Sequence, residues 1–234
     1  IARMGYDEHM QWGGPAPQVA DQACDWLAER SGDEPPFYLN LAFFEPHRGF
    51  PDFGHAPDTS RGVSVPPFIV DEHHSREEFA YFQGAIKALD EAVGRIVQAI
   101  DDAGLGEDTI VVFCADHGIP FPRAKCAVYD PGLEVALIMR WPGGGWVEPG
   151  TVFDAMIPNV DYLPTLLELI GQPAPEGIHG RSFAPLLRGE SYEPRDAVFA
   201  ELTYHEYCDP RRAIRTETHK LIVNFSTAPS FMDP

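Results

Sequence analysis

Residues Asp108-Thr-Ile-Val-Val-Phe-Cys-Ala-Asp-His-Gly118 contain the clearest strand in this sequence of 234 residues. The run over 109–115 is apolar on both faces and rich in β-branched residues, which is typical of a buried strand in a parallel sheet. The run ends at Asp116 and His117, and Gly118 then allows a sharp turn. We therefore predict a central strand that delivers two polar side chains to one edge of a sheet.

The elements around this strand alternate between helix and strand. We predict helices over 15–31, 75–104 and 159–170, and strands over 37–43 and 135–141. The second helix begins with the capping box Ser75-Arg-Glu-Glu78. The third should turn five residues inward: Val160, Leu163, Leu166, Leu167 and Ile170. This alternation favours an α/β fold with a mostly parallel sheet that helices cover on both faces.

The pattern changes after Arg195 to three short strands, over 197–202, 213–216 and 221–225. Their spacing predicts a small C-terminal antiparallel subdomain. We therefore divide the sequence into a partial α/β domain over 1–194 and the start of the antiparallel subdomain over 195–234. Because the first residue is Ile1 and the predicted sheet lacks its first strands, we expect the N-terminal part of the fold to precede it.

The charge of the chain restricts its partners. Thirty-six acidic and seventeen basic residues give a net charge of −19, whereas nucleic-acid-binding domains carry basic stripes. Such an excess chiefly favours solubility. Four of the bases nevertheless fall within ten residues, which is compatible with a local pocket for an anionic substrate: Arg211, Arg212, Arg215 and Lys220. The sequence has no run of eighteen apolar residues, so it predicts no membrane span.

Asp116 and His117 are the first candidates for chemistry, because ligands of open α/β sheets bind beyond the carboxyl ends of strands. A carboxylate and an imidazole at adjacent positions could both reach one divalent cation. With Gly118 they are equally compatible with an ordinary turn capped by the carboxylate. His47 follows the strand over 37–43 and could hold an anion or serve a structural role. Lys125 by itself predicts a solvated lysine.

Several segments taken together are more specific than any of these residues alone. In chain order they are Phe37-Tyr-Leu-Asn-Leu-Ala-Phe-Phe-Glu-Pro-His-Arg48, the strand ending in Asp116-His-Gly118, Val135-Ala-Leu-Ile-Met-Arg-Trp-Pro-Gly143, Asn159-Val-Asp-Tyr-Leu-Pro-Thr-Leu-Leu-Glu-Leu169 and His179-Gly-Arg-Ser-Phe-Ala-Pro-Leu-Leu187. This series resembles the sulfatase family, which has the alkaline-phosphatase-like fold. The loop Gly118-Ile-Pro-Phe-Pro-Arg-Ala-Lys125 and the segment Tyr204-His-Glu206 resemble the N-sulfoglucosamine sulfohydrolases, or sulfamidases, within it.

The resemblance implies hydrolysis of a sulfate ester or sulfamate on a sulfated sugar such as N-sulfoglucosamine. It also favours a periplasmic, secreted or lysosomal-type compartment. It assigns Asp116 and His117 to one divalent cation, with calcium favoured. Magnesium, manganese and zinc stay open because an imidazole replaces the commoner asparagine amide. Catalytic contacts with the sulfate are assigned to His47 and Lys125. Substrate-binding contacts with the sugar are assigned to His205, Glu206, Arg211 and Arg215, with a solvated strand face as the alternative.

The family nucleophile is a formylglycine made from the cysteine of a Cys-x-Pro-Ser-Arg segment, and the resemblance places that segment upstream of residue 1. Cys208-Asp-Pro-Arg-Arg212 satisfies only a minimal form of the motif and lies in the C-terminal subdomain. We therefore expect the chain to be inactive alone. Two other functions stay open: a phosphonate or phosphate ester hydrolase of the same superfamily, and an inactive homologue that binds anions.

Overall fold

The computed structural model describes residues 5–8, 13–30, 35–49, 52–205 and 208–227. Its helices are α1 (Ala16–Ala28), α2 (His73–Asp102), α3 (Asp130–Leu133), α4 (Tyr162–Leu169) and α5 (Ala184–Leu187). Its strands are β1 (Val111–Cys114), β2 (Leu137–Arg140), β3 (Ala197–Tyr204), β4 (Cys208–Thr216) and β5 (Lys220–Asn224). Among these described helices, none is both long and apolar enough to cross a bilayer.

Helices α1 and α2 pack against each other and form one hydrophobic core. The contacting face of α1 is built from small side chains, and both Ala20 and Ala23 are fully buried. They allow the larger Leu89 and Ile96 of α2 to approach closely. The first turn of α1 is capped by a buried carboxylate, because Glu45 Oε2 accepts the Ala16 amide hydrogen at 2.7 Å.

The ends of α2 test the two helix signals in the sequence. The helix begins at His73, with Glu72 as the residue before its first turn, so the predicted start at Ser75 is wrong by two residues. Glu72 is extended and its carbonyl accepts the Arg76 amide hydrogen at 3.0 Å, which starts the helical bonding before the capping box. At the other end Gly104 has φ of +72°, which confirms the predicted stop.

Strands β1 and β2 pair antiparallel, with Val111 opposite Arg140. This corrects the mostly parallel sheet predicted from the apolar run over 109–115. The connection explains the direction of pairing, because the Ala115 amide donates to the Ala136 carbonyl at 3.2 Å and the chain folds back where β1 ends. A parallel pair needs a crossover that returns the chain to the opposite end of the sheet.

The predicted strand over 37–43 makes one parallel bridge, between Phe43 and Gly14. The Phe44 amide donates to the Gly14 carbonyl at 2.9 Å in the same contact. Within the described ranges this bridge is parallel, and the pairings of β1 to β5 are all antiparallel. The predicted strand is thus paired at Phe43 only, among the residues of this segment.

The buried face of α4 differs from the predicted one. Val160, Leu163 and Ile170 are more than half exposed, and the other two predicted residues, Leu166 and Leu167, are partly buried. Asp161 and Thr165 are instead fully buried. The Asp161 carboxylate accepts hydrogen bonds from the Arg195 guanidinium and the Arg181 amide, and Thr165 Oγ1 accepts from the Phe183 amide. These polar contacts select the face, since a buried charge must keep its partners.

Strands β3, β4 and β5 form the antiparallel sheet that the sequence predicts. Phe199 of β3 and Leu221 of β5 project from one side of this sheet and are 77% and 61% exposed. Lys220 lies on the side that meets the rest of the chain, since its ammonium donates to the Val128 carbonyl at 3.1 Å. The predicted domain boundary at residue 194 stays a prediction.

A second core joins α2 to two loops, and we call its four phenylalanines the aromatic cluster: Phe53, Phe79, Phe82 and Phe121. The rings of Phe79 and Phe121 stack at 4.1 Å with an interplanar angle of 9°. The guanidinium of Arg48 lies 5.1 Å and 5.0 Å from the ring centroids of Phe53 and Phe121. Arg48 also pairs with Glu78 of α2 at 2.7 Å. The cluster thus fixes the segment after β1 against the segment that follows residue 45.

We expect Phe79→Ala to lower the free energy of unfolding by about 3–5 kcal/mol, because it removes a buried ring and leaves a cavity. Phe199→Ala is the matched control, since it removes the same side chain from an exposed position and should change stability by less than about 0.5 kcal/mol. Urea denaturation followed by circular dichroism measures both. Equal losses in the two variants would contradict the assigned core.

Candidate active site

The loop over 115–136, which we call the site loop, carries Asp116, His117 and Lys125. Its two arms are tied together by the hydrogen bond from the Gly118 amide to the Gly132 carbonyl, 3.2 Å long. A Cβ atom on Gly118 would lie 1.9 Å from the Pro131 carbonyl oxygen. Gly118 is therefore required by this close backbone approach as well as by the turn that the sequence predicts.

Lys125 is returned to the start of the site loop by a compact set of turns. Its amide donates to the Ile119 carbonyl at 3.0 Å, which brings its backbone close to the residue two positions after His117. Arg123 and Cys126, on either side of Lys125, have φ of 67° and 57°. Non-glycine residues rarely adopt this left-handed region, and such conformations concentrate at functional sites.

His47 and Lys125 meet although 78 residues separate them, with His47 Nε2 and Lys125 Nζ 3.0 Å apart. An ammonium has donors only, so the imidazole accepts at Nε2 and keeps its proton on Nδ1. Arg48 follows His47 directly, and Phe121 lies four residues before Lys125. The contact between Arg48 and Phe121 therefore holds both segments together. The structure therefore brings together the two residues that the sequence analysis assigned to the sulfate, and their catalytic role stays a prediction.

Asp116 and His117 present adjacent donor atoms at the end of β1. His117 Nε2 lies 3.7 Å from Asp116 Oδ1, and the Asp116 side chain is 89% exposed. His117 Nδ1 lies 2.7 Å from the Gly118 carbonyl oxygen. A carbonyl only accepts, so this bond places the ring proton on Nδ1 and leaves the Nε2 lone pair beside the carboxylate.

This donor set fits a divalent cation. The oriented imidazole nitrogen and the carboxylate oxygen are close enough to share one ion, and the tautomer is the one that ligation at Nε2 requires. Among the described residues, no group of three or more His, Cys, Asp and Glu side chains is arranged to hold a metal. We therefore treat these two residues as part of a ligand set rather than as a complete site.

The basic cluster lies in the antiparallel sheet, and its arginines pair with carboxylates of the chain. Arg211 is buried against Asp209, Arg212 lies 3.0 Å from Glu201, and Arg215 Nε lies 3.2 Å from Asp130 Oδ1. His205 is exposed at the end of β3, and Glu206 lies outside the described residues. Their predicted contacts with a sugar stay predictions.

Sequence reasoning missed Asp130, which begins α3 inside the site loop. Its carboxylate lies 2.5 Å from Lys220 Nζ. The hydrogen bond from Lys220 holds the pKa of Asp130 below its ordinary value, the Arg215 guanidinium adds to this, and partial burial opposes it. The tripeptide Asp130-Pro-Gly132 signals a turn, but nothing local indicates partners 85 and 90 residues later.

Two family models match the chain: one described as Sulfatase over residues 5–172, and one described as N-sulphoglucosamine sulphohydrolase, C-terminal, over residues 121–232. The human N-sulphoglucosamine sulphohydrolase is 28% identical over 249 residues, covering 86% of this chain and 49% of that protein. The chain spans about half the length, or less, of the curated relatives that it matches first.

Solved structures share the fold. A 2-O GAG sulfatase superposes with a TM-score of 0.70 and 23% identity, covering 94% of this chain and 57% of its own. A phosphonate monoester hydrolase from Silicibacter pomeroyi superposes with a TM-score of 0.57 and 26% identity, covering 71% and 36%. Over the covered parts, the fold of this chain is thus one that hydrolases of both names share.

Paramagnetic Mn²⁺ should broaden the backbone amide signals of Asp116 and His117 before those of other acidic residues, because the two donor atoms converge there. Asp116→Asn should abolish this selective broadening in two-dimensional NMR spectra of the chain. Asp108→Asn is the control, since it removes an exposed carboxylate at the opposite end of β1. Broadening that persists in Asp116→Asn would contradict the assignment.

Proposed function

The chain belongs to the sulfatase family, and on that premise we propose that it carries the metal-binding and sulfate-binding side of an active site that hydrolyses a sulfated sugar. The observation that carries the proposal is the 3.0 Å contact between His47 Nε2 and Lys125 Nζ. Two loops far apart in sequence converge there, beside the strand end that holds Asp116 and His117. Such convergence of polar groups at a strand end is how α/β folds build their sites.

The His47–Lys125 pair is suited to an anion with several oxygens. One ammonium hydrogen of Lys125 is directed at the imidazole, and we propose that the ammonium also donates to the sulfate oxygens when the substrate binds. His47 orients the ammonium through this contact. Negative charge grows on the leaving atom as the sulfur–oxygen or sulfur–nitrogen bond breaks. Donors fixed in advance stabilise that charge more than they stabilise the bound substrate.

A divalent cation, when bound, would supply a Lewis acid that neutralises charge on the sulfate. In this chain Asp116 would contribute a carboxylate oxygen to it and His117 the nitrogen Nε2. The Gly118 carbonyl holds the His117 ring in the required orientation through Nδ1. The exposure of Asp116 leaves room for ligands from outside the described residues.

We propose that the nucleophile is a formylglycine carried by a segment outside these 234 residues. Cys208 begins β4 and pairs with Tyr204 in the β3–β4 ladder, so its partial motif belongs to the antiparallel sheet. The site loop instead carries Cys126, which lacks the proline and arginine of the motif. In this proposal the described residues bind and orient the substrate, and the formylglycine carries out the covalent step.

We propose a sulfamate or sulfate ester of an amino sugar as the substrate class. The match of the site loop from Phe121 onward to the N-sulphoglucosamine sulphohydrolase model supports this choice. His205 is the exposed residue of the predicted sugar-binding set. Arg211 is buried against Asp209 and Arg215 pairs with Asp130, whereas His205 is exposed, so we propose a direct contact with the sugar for His205.

A phosphonate or phosphate ester hydrolase is the second candidate, because a phosphonate monoester hydrolase of 26% identity shares the fold. Sulfate and phosphate esters both present oxygens to the same donors. The ratio of kcat/KM for a sulfated glucosamine to kcat/KM for an aryl phosphonate separates the two functions. A ratio below one favours the phosphonate, and no turnover of either substrate favours an inactive homologue that binds anions.

In the complete enzyme that contains this chain, Lys125→Ala and His47→Ala should each lower kcat on a sulfated glucosamine by about 10²–10³, the usual effect of removing one such donor. Because the interaction strengthens in the transition state, kcat/KM should fall by a similar factor. Lys87→Ala, which removes an exposed positive charge from α2, is the matched control and should retain parental kcat. If Lys125→Ala and His47→Ala keep the parental kcat, the assignment of these two residues to the site is wrong.

A further inference from the structure

We propose that Asp130, Lys220 and Arg215 form a clasp through which the antiparallel sheet positions the site loop for anion binding. These three act as positioning residues, and the clasp rests on the proposed function only for the identity of the anion. It assigns Arg215 a supporting role in place of a direct contact with the sugar. Lys220, which had no role in the sequence analysis beyond the basic cluster, becomes its central member.

The contacts of the clasp converge on one carboxylate. Asp130 Oδ1 lies 2.5 Å from Lys220 Nζ and 3.2 Å from Arg215 Nε. The same ammonium of Lys220 donates to the Val128 carbonyl at 3.1 Å. Arg215 Nη1 donates to the Thr216 carbonyl at 2.5 Å, so its guanidinium is bonded within the protein on both sides. Two cationic side chains of the sheet thus pair with the same carboxylate of the site loop.

The burial of Lys220 makes its pairing with Asp130 necessary. The Lys220 side chain is only 14% exposed, whereas its partner Asp130 is 48% exposed. A lysine withdrawn from water to this extent needs a carboxylate beside it, because a buried unpaired ammonium is strongly unfavourable. The lowered pKa of Asp130 keeps the carboxylate ionised through neutral and mildly acidic solution. The sheet is therefore held at this point of the site loop whenever the chain is folded.

Close backbone packing transmits the position of Asp130 to both arms of the site loop. A Cβ atom on Gly132, two residues later, would lie 2.3 Å from the Ala124 carbonyl oxygen and 2.4 Å from that of Ala127. On the other arm, Gly118 meets the Pro131 carbonyl equally closely. Helix α3 thus packs closely against Gly118 on one side and against Ala124 and Ala127 on the other. A shift of Asp130 must move both arms.

The test uses the full chain with inorganic sulfate as the probe. Asp130→Asn and Lys220→Met should each weaken sulfate binding about fivefold, measured by NMR titration of the Lys125 amide. The amides of Gly118 and Lys125 should also exchange hydrogen faster, because their acceptors at Gly132 and Ile119 are no longer held. Lys220→Arg, which keeps the charge, should retain most of the affinity.

The matched control is Glu201→Gln, which breaks an exposed ion pair of the same sheet with Arg212 and should leave both measurements unchanged. The double variant Asp130→Asn with Lys220→Met should bind sulfate no more weakly than the worse single variant, because both substitutions break the same Lys220–Asp130 ion pair. If Asp130→Asn does not fold, the comparison of Lys220→Met with Lys220→Arg decides the question.

Unchanged amide exchange in Asp130→Asn, or additive effects in the double variant, would overturn the clasp. Equal behaviour of Lys220→Met and Lys220→Arg would overturn it as well. Failure of the proposed function has a different signature: the parental chain would not bind sulfate, while the amide exchange of Gly118 and Lys125 would still report on the clasp. The two proposals can therefore fail separately.

Discussion

The stacking of Phe79 on Phe121 is the contact on which the rest of the candidate site depends. It fixes the site loop to α2, the longest helix, at a ring separation of 4.1 Å. Arg48 then lies against Phe53 and Phe121 and brings the neighbouring His47 to the same place. A site made of two loops has little rigidity of its own, and here an apolar core beneath it supplies that rigidity.

Ion pairs position the basic side chains that surround the aromatic cluster and the antiparallel sheet. The chain carries a net charge of −19, so a positive side chain usually finds a carboxylate close by. Arg48, Arg195, Arg211 and Arg215 all have such partners. Lys125 also directs its ammonium at the His47 imidazole, with Nζ and Nε2 3.0 Å apart. We expect the ammonium to attract an anion that enters the site.

The sequence predicts local structure and the polar strand end well, and it predicts long-range pairing poorly. Gly104 ends α2 through its own φ angle, and the short strands after Arg195 pair with near neighbours, so both are local properties. The face of α4 depends instead on Arg195, 34 residues after Asp161. The antiparallel direction of β2 depends on a loop closure, and the contacts of Asp130 on a distant sheet. A window of fifteen residues contains none of these partners.

The separation of His47 from Lys125 by 78 residues also has a consequence for folding. The pair belongs to the native structure, in which α2, the helix between the two residues in sequence, packs against both loops. An oxyanion that binds the pair therefore binds the native state and not the unfolded chain, and by mass action it shifts the folding equilibrium toward the native state. Sulfate, the product of the proposed reaction, would thus act as a chemical chaperone for this part of the enzyme.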